Sequence, residues 1–111
     1  MFLRAKQGAV DVIRGSDPLS GEHLDGLARV FDECIGHGQP RIVCDMQYVP
    51  LIDSAGLELL LDVRDRSLDR GGCVKLAGPN PLCRDILNAT GVGLEFEVFD
   101  DVIEAAASFA L

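Results

Sequence analysis

Arg41-Ile-Val-Cys-Asp45-Met-Gln-Tyr-Val-Pro-Leu-Ile-Asp53-Ser54-Ala55-Gly56-Leu57 is the stretch on which the reading of this chain turns. Arg41–Met46 is β-branched and apolar enough for a strand, and it runs into the carboxylate of Asp45. A short loop follows, and Asp53-Ser54 then stands at the mouth of a helix. Apolar residues at Leu57, Leu60, Leu61 and Leu68 carry that helix forward. Asp and Ser are both preferred helix-capping residues. If Asp53 caps, the Ser54 hydroxyl is free to point outward. If Ser54 caps, a group attached there still meets the amides of Ala55, Gly56 and Leu57. Gly56 brings no side chain to crowd such a group. Helix N-termini favour anions, so Ser54 is placed to bear a reversible phosphate.

Working outward, the chain alternates strand and helix. Phe2–Lys6 and Ala9–Arg14 flank Gln7-Gly8 and predict an opening hairpin. Gly15-Ser-Asp-Pro-Leu-Ser-Gly21 is rich in turn formers. Leu24, Leu27, Ala28, Phe31, Cys34 and Ile35 share one helical face, which Gly36-His-Gly38 and Pro40 bring to an end. Gly71-Gly72 closes the helix that starts near Ser54, and Cys73–Ala77 is the next strand. Asn80 caps a third helix with Pro81 in its first turn, and Leu82, Cys83, Ile86 and Leu87 form its inward face. Gly91 ends that helix, and Glu95–Phe99 reads as a last strand. Asp101 and Glu104 open a final helix in capping-box fashion, with Val102, Ile103, Ala106 and Phe109 inward.

A hairpin followed by repeated β-α units predicts an α/β fold. The expectation is one domain over residues 1–111, a mixed sheet with its later strands mainly parallel, and about four helices packed against it. The Asp53-Ser54 loop then falls at the carboxyl end of the central strand, where open α/β sheets place their sites.

Composition narrows the function. The 111 residues carry 18 acids against 10 bases, a formal net charge of -8, which disfavours nucleic acid and anionic membrane as partners. Trp is absent and Tyr48 is the single tyrosine, which argues against a base-stacking surface. No run is apolar and long enough to span a bilayer, and the N-terminus lacks the order of a signal peptide. Cys34, Cys44, Cys73 and Cys83 contain no Cys-x-x-Cys pair and read as buried free thiols of a reducing cytoplasm.

Catalysis finds little support. A nucleophile elbow needs Gly-x-Ser-x-Gly, but Ile52 holds the first glycine position, and His23 and His37 are the only imidazoles. Cys34-x-x-His37 offers two metal ligands without a matching pair, and no Gly-rich phosphate loop exists. Asp62, Asp65, Asp69 and Asp85 read as solvated helix faces, with Arg64, Arg66 and Arg70 as weak partners. Neither enzyme activity nor a cofactor is expected.

The block Ile42-Val-Cys-Asp45, a short loop, then Ile52-Asp53-Ser54-Ala55-Gly56-Leu57 resembles the signature of STAS domains, and in particular single-domain bacterial anti-sigma factor antagonists. Gly71-Gly72-Cys-Val-Lys-Leu-Ala77, Pro81-Leu-Cys-Arg-Asp-Ile-Leu-Asn-Ala-Thr-Gly91 and Phe96-Glu-Val-Phe-Asp-Asp101 continue the likeness. The resemblance implies a non-enzymatic phospho-switch. The unmodified protein would bind an ATP-bound anti-sigma factor that is itself a serine kinase, and so free the sigma factor. Phosphorylation of Ser54 would end that binding until a phosphatase restored it. It further implies that Asp45 and Asp53 flank the switch serine, and that Asp45, Asp53, Ser54, Ala55 and Gly56 form the partner-binding set. The family's usual Gly-Glu-Leu-Asp-like turn after the second strand, which takes part in partner contact, is replaced here by Gly15-Ser-Asp-Pro-Leu-Ser-Gly21. The alternative implied by the same fold is a STAS subunit of an ABC-type lipid transporter or of a larger sensory assembly.

Overall fold

In the computed structural model, which describes residues 1–36 and 38–110, an opening hairpin leads into alternating helices and strands. β1 (Phe2–Gln7) and β2 (Val10–Gly15) pair antiparallel across a turn where Gly8 takes a φ of 64°. That left-handed conformation is one that glycine adopts without steric cost. The chain continues through α1 (His23–Ile35), β3 (Arg41–Asp45), α2 (Ser54–Asp69) and β4 (Cys73–Ala77). It ends with α3 (Pro81–Thr90), β5 (Val98–Phe99) and α4 (Val102–Ser108). The sheet order is β1-β2-β3-β4-β5, and every pairing after the hairpin is parallel. The mixed α/β sheet expected from the sequence is therefore present, with β3 at its centre.

Strand alternation sorts the side chains onto two faces. Ile13, Ile42, Cys44, Val74 and Leu76 face α1, α2 and α3, where they meet Leu27, Phe31, Leu60, Val63, Cys83 and Leu87 in the main core. Val10, Val12, Val43 and Ala77 face the other way and are covered by α4 through Ala105, with Val102, Ala106 and Phe109 alongside. Lys75 lies on that second face. Its ammonium donates to Ser108 Oγ at 2.6 Å, lies 3.6 Å from Glu97 and sits 4.2 Å from the Phe109 ring centroid. These contacts compensate a nearly buried cation and fasten α4 to the sheet.

Two glycines hold α2 against its neighbours. A Cβ on Gly56, in the first turn, would come within 2.1 Å of the Leu19 carbonyl oxygen. A Cβ on Gly72, just past the helix, would come within 1.9 Å of the Pro40 carbonyl oxygen. Only a hydrogen fits in either place.

Several side chains depart from the sequence expectation. Glu95–Phe99 is not one strand: after Gly91 closes α3, Val92–Glu95 forms a 3-10 turn and Phe96 enters the core. Pairing with β4 begins only at Val98. In α2 the inward stripe is Leu57, Leu60, Val63 and Ser67, which turns Leu68 out to 47% exposure and leaves Leu61 half-buried. Leu82, in the first turn of α3, and Ile103, in the short α4, also face solvent instead of the core. Ala105 is the fully buried residue of α4. Cys34, Cys44 and Cys83 are buried free thiols, but Cys73 is only partly buried.

Candidate functional site

Ser54 is the first residue of α2 and is exposed. The two arrangements left open by the sequence resolve in favour of Asp53 as the cap. Asp53 has extended backbone angles, and its Oδ1 accepts from Gly56 N at 2.8 Å. Its carbonyl accepts from Leu57 N at 3.0 Å. The Ser54 hydroxyl makes no hydrogen bond to any described residue, and the amides of Ser54 and Ala55 are likewise unclaimed. A 16-residue helix with no acid in its first turn concentrates partial positive charge at this end. An anion attached to Ser54 would therefore meet two free N–H groups and a favourable dipole.

Of the predicted set, Asp53, Ser54 and Ala55 are exposed at the start of α2, Gly56 is buried within the same turn, and Asp45 is buried at the end of β3, on the sheet face that carries Val43 and Ala77. Asp45 is only 5% exposed. One of its oxygens accepts from Gln47 N at 3.0 Å, and the other lies 3.5 Å from Arg14 Nε. It fixes the start of the loop through Gln47. Gly56 is needed for a reason other than the open approach expected from the sequence, because its missing side chain makes room for the Leu19 carbonyl.

That carbonyl belongs to the loop between β2 and α1. Leu19 is fully buried, its N–H donates to Leu51 O at 2.9 Å, and its carbonyl accepts from Asp53 N at 3.1 Å. A one-residue parallel bridge, Leu19 to Ile52, results. The Gly15–Gly21 segment is thus stitched directly to the loop that delivers Ser54.

Tyr48, 63% exposed, and Leu51 stand outward on the delivering loop, and Leu82 does so on the adjoining first turn of α3. Sequence reasoning passed over Tyr48 and Leu51 and assigned Leu82 to the core. The available signal was Tyr48-Val-Pro-Leu51 itself, a stretch too apolar for an idle connection. Elsewhere, His23 opens α1 with Nδ1 3.7 Å from Asp17. The Cys34 thiol is pushed up to about 11, first by burial and then by the negative field of Asp11. His37, the other half of the metal pair considered above, lies outside the described residues. No helix among the described residues is long and apolar enough to cross a membrane.

Comparison with known proteins gives a consistent picture. The STAS domain family model matches residues 3–105. No curated protein sequence matches. A candidate anti-sigma factor antagonist of Thermotoga maritima superposes with a TM-score of 0.91 at 22% identity, covering 99% of this chain and 95% of that one. Bacillus SpoIIAA in its phosphorylated form superposes at 0.71 with 18% identity and 100% of both chains covered. Its unphosphorylated form, described as an anti-sigma factor antagonist, reaches 0.78 at 19% identity, with 99% of this chain and 96% of that one covered. The mouse anion transporter Slc26a9 matches at 0.79 and 18% identity over 96% of this chain but 18% of its own. At these identities the structural likeness speaks for the fold alone.

Proposed function

This chain belongs to the STAS domain family, and from that premise we propose that it is a single-domain, non-enzymatic anti-sigma factor antagonist of the cytoplasm, switched by phosphorylation of Ser54. The unmodified protein binds an ATP-bound anti-sigma factor with serine kinase activity and so releases a sigma factor. The kinase modifies Ser54 and the complex falls apart, until a phosphatase resets it. The observation that carries this reading is an exposed serine hydroxyl, left free because its neighbour Asp53 takes the capping role. That a similarly folded protein has been solved in both phosphorylation states supports it.

The electrostatics favour a switch that spares the fold. A phosphate adds about -1.5 to -2 charge at neutral pH, which the first-turn amides of α2 partly neutralise. Across a desolvated contact the same charge would oppose the nucleotide phosphates of the kinase and cost roughly a hundredfold or more in affinity. Asp53, Ser54 and Ala55 make the direct contacts, with Tyr48, Leu51 and Leu82 as the apolar ground around them. Asp45 and Gly56 act indirectly, Asp45 by holding Gln47 at the start of the loop and Gly56 by admitting the Leu19 carbonyl.

The test is purification from the host, followed by mass spectrometry for phospho-Ser54 and for a co-purifying kinase. Ser54→Ala should hold that partner persistently and Ser54→Asp should hold it weakly. Equal binding by the two variants overturns the switch. The second reading is a STAS subunit of an ABC-type lipid transporter or of a larger sensory assembly; the fold does occur as a segment of a transport protein, the anion transporter Slc26a9. Recovery of a transport ATPase in place of a serine kinase would favour it.

A further inference from the structure

We infer that Asn80 is a positioning residue for Ser54, holding the delivering loop at the pitch a partner reads; this rests on the switch proposed above. Asn80 does two jobs with one side chain. Its Oδ1 accepts from Cys83 N at 2.7 Å and caps α3. Its Nδ2 donates to Val49 O at 3.1 Å and reaches Pro50 O at 3.4 Å. The amide orientation follows from this surrounding: a backbone N–H lies on one side and two carbonyls on the other, so oxygen and nitrogen cannot be exchanged.

Capping alone does not require asparagine, since aspartate and serine serve equally well. The donation across to Val49 and Pro50 requires an amide N–H. Those carbonyls belong to the segment Gln47–Leu51, which otherwise has few backbone ties. Gln47 N donates to Asp45 Oδ1 at 3.0 Å, Val49 N donates to Met46 O at 3.1 Å, Cys83 Sγ lies 3.6 Å from Val49 O, and Leu51 O receives Leu19 N from the far side. Pro50 has no N–H to give. The loop therefore hangs between two struts, Leu19 on one flank and Asn80 on the other. Tyr48 and Leu51 project from it, and Ser54 follows directly after it.

Asn80→Asp separates the two jobs. A carboxylate keeps the cap on α3 but cannot donate, and it turns negative charge toward two carbonyl oxygens. The isolated variant should stay folded with its melting temperature lowered by about 4–8 °C, while amides in residues 47–53 exchange with solvent about tenfold faster and those of α3 keep their protection. Ser54 phosphate occupancy in protein purified from the host should fall about threefold or more. Asn80→Ala, which loses the cap as well, should also deprotect α3. Unchanged exchange over residues 47–53 in Asn80→Asp overturns the positioning role. Faster exchange with unchanged phosphate occupancy shows a merely structural tie and overturns it too. Wild-type protein that never carries phosphate overturns the switch, and the role of Asn80 with it.

Discussion

Gly56 illustrates how tightly single atoms define this site. Its α-hydrogen faces the carbonyl oxygen of Leu19, and a methyl group there would overlap it at 2.1 Å. The same oxygen accepts from Asp53 N, so the clash cannot be relieved without breaking the bond that seats the helix start. Gly56→Ala should therefore destabilise the protein by about 2 kcal/mol or more, although alanine is the better helix former. Chemical denaturation measures this as a lower midpoint with an unchanged slope. An alanine variant as stable as the wild type would mean that the β2–α1 loop yields easily. The adjacent Ser54 needs no such accommodation, and its freedom depends on Asp53 taking the capping role.

At the scale of elements, α2 can be tested through its cap. Asp53→Ala removes the acceptor of Gly56 N and should cost about 1 kcal/mol, read from thermal or urea melts. Asp53→Asn keeps the cap and should melt within a few tenths of a kcal/mol of the wild type. Any loss of partner binding in Asp53→Asn then reports the carboxylate's charge. Caps also explain how much of the fold was legible beforehand. Asp53, Asn80-Pro81, Gly91 and Asp101 each mark a helix end in the sequence, and each holds that place in the structure. What escaped was the direction of individual apolar residues. Leu68, Leu82 and Ile103 fit a helical stripe by type and spacing, yet an angular step past the buried line carries each into solvent. Glu95–Phe99 alternates like a strand, but Arg64 Nε donates to Glu95 O at 2.7 Å and the segment is drawn toward α2 before it reaches β4. The docking of Leu19 beside Ile52, and of Asn80 beneath Val49, joins residues far apart in the chain. No local pattern announces such contacts.

The whole molecule should show its buried thiols through pH. Burial, with a smaller push from neighbouring carboxylates, raises Cys34 to about 11 and Cys44 to about 12 from an ordinary value near 9. Each thiol holds its proton more firmly in the folded chain than in the unfolded one. Their contribution to stability is complete below about pH 9 and is lost as pH climbs through the folded values. Melting temperature should thus decline from about pH 9 upward, and Cys44→Ala should flatten that decline relative to its own value at pH 8. The two ends of α2 have a larger consequence. The Leu19 carbonyl lies close against Gly56 in the first turn and the Pro40 carbonyl close against Gly72 just past the last, so both ends are tightly seated. A charge placed on its tip is therefore expected to act where it stands and not as a change of shape in the body. On the proposed switch, the message of Ser54 is delivered at the doorstep, by refusing the visitor.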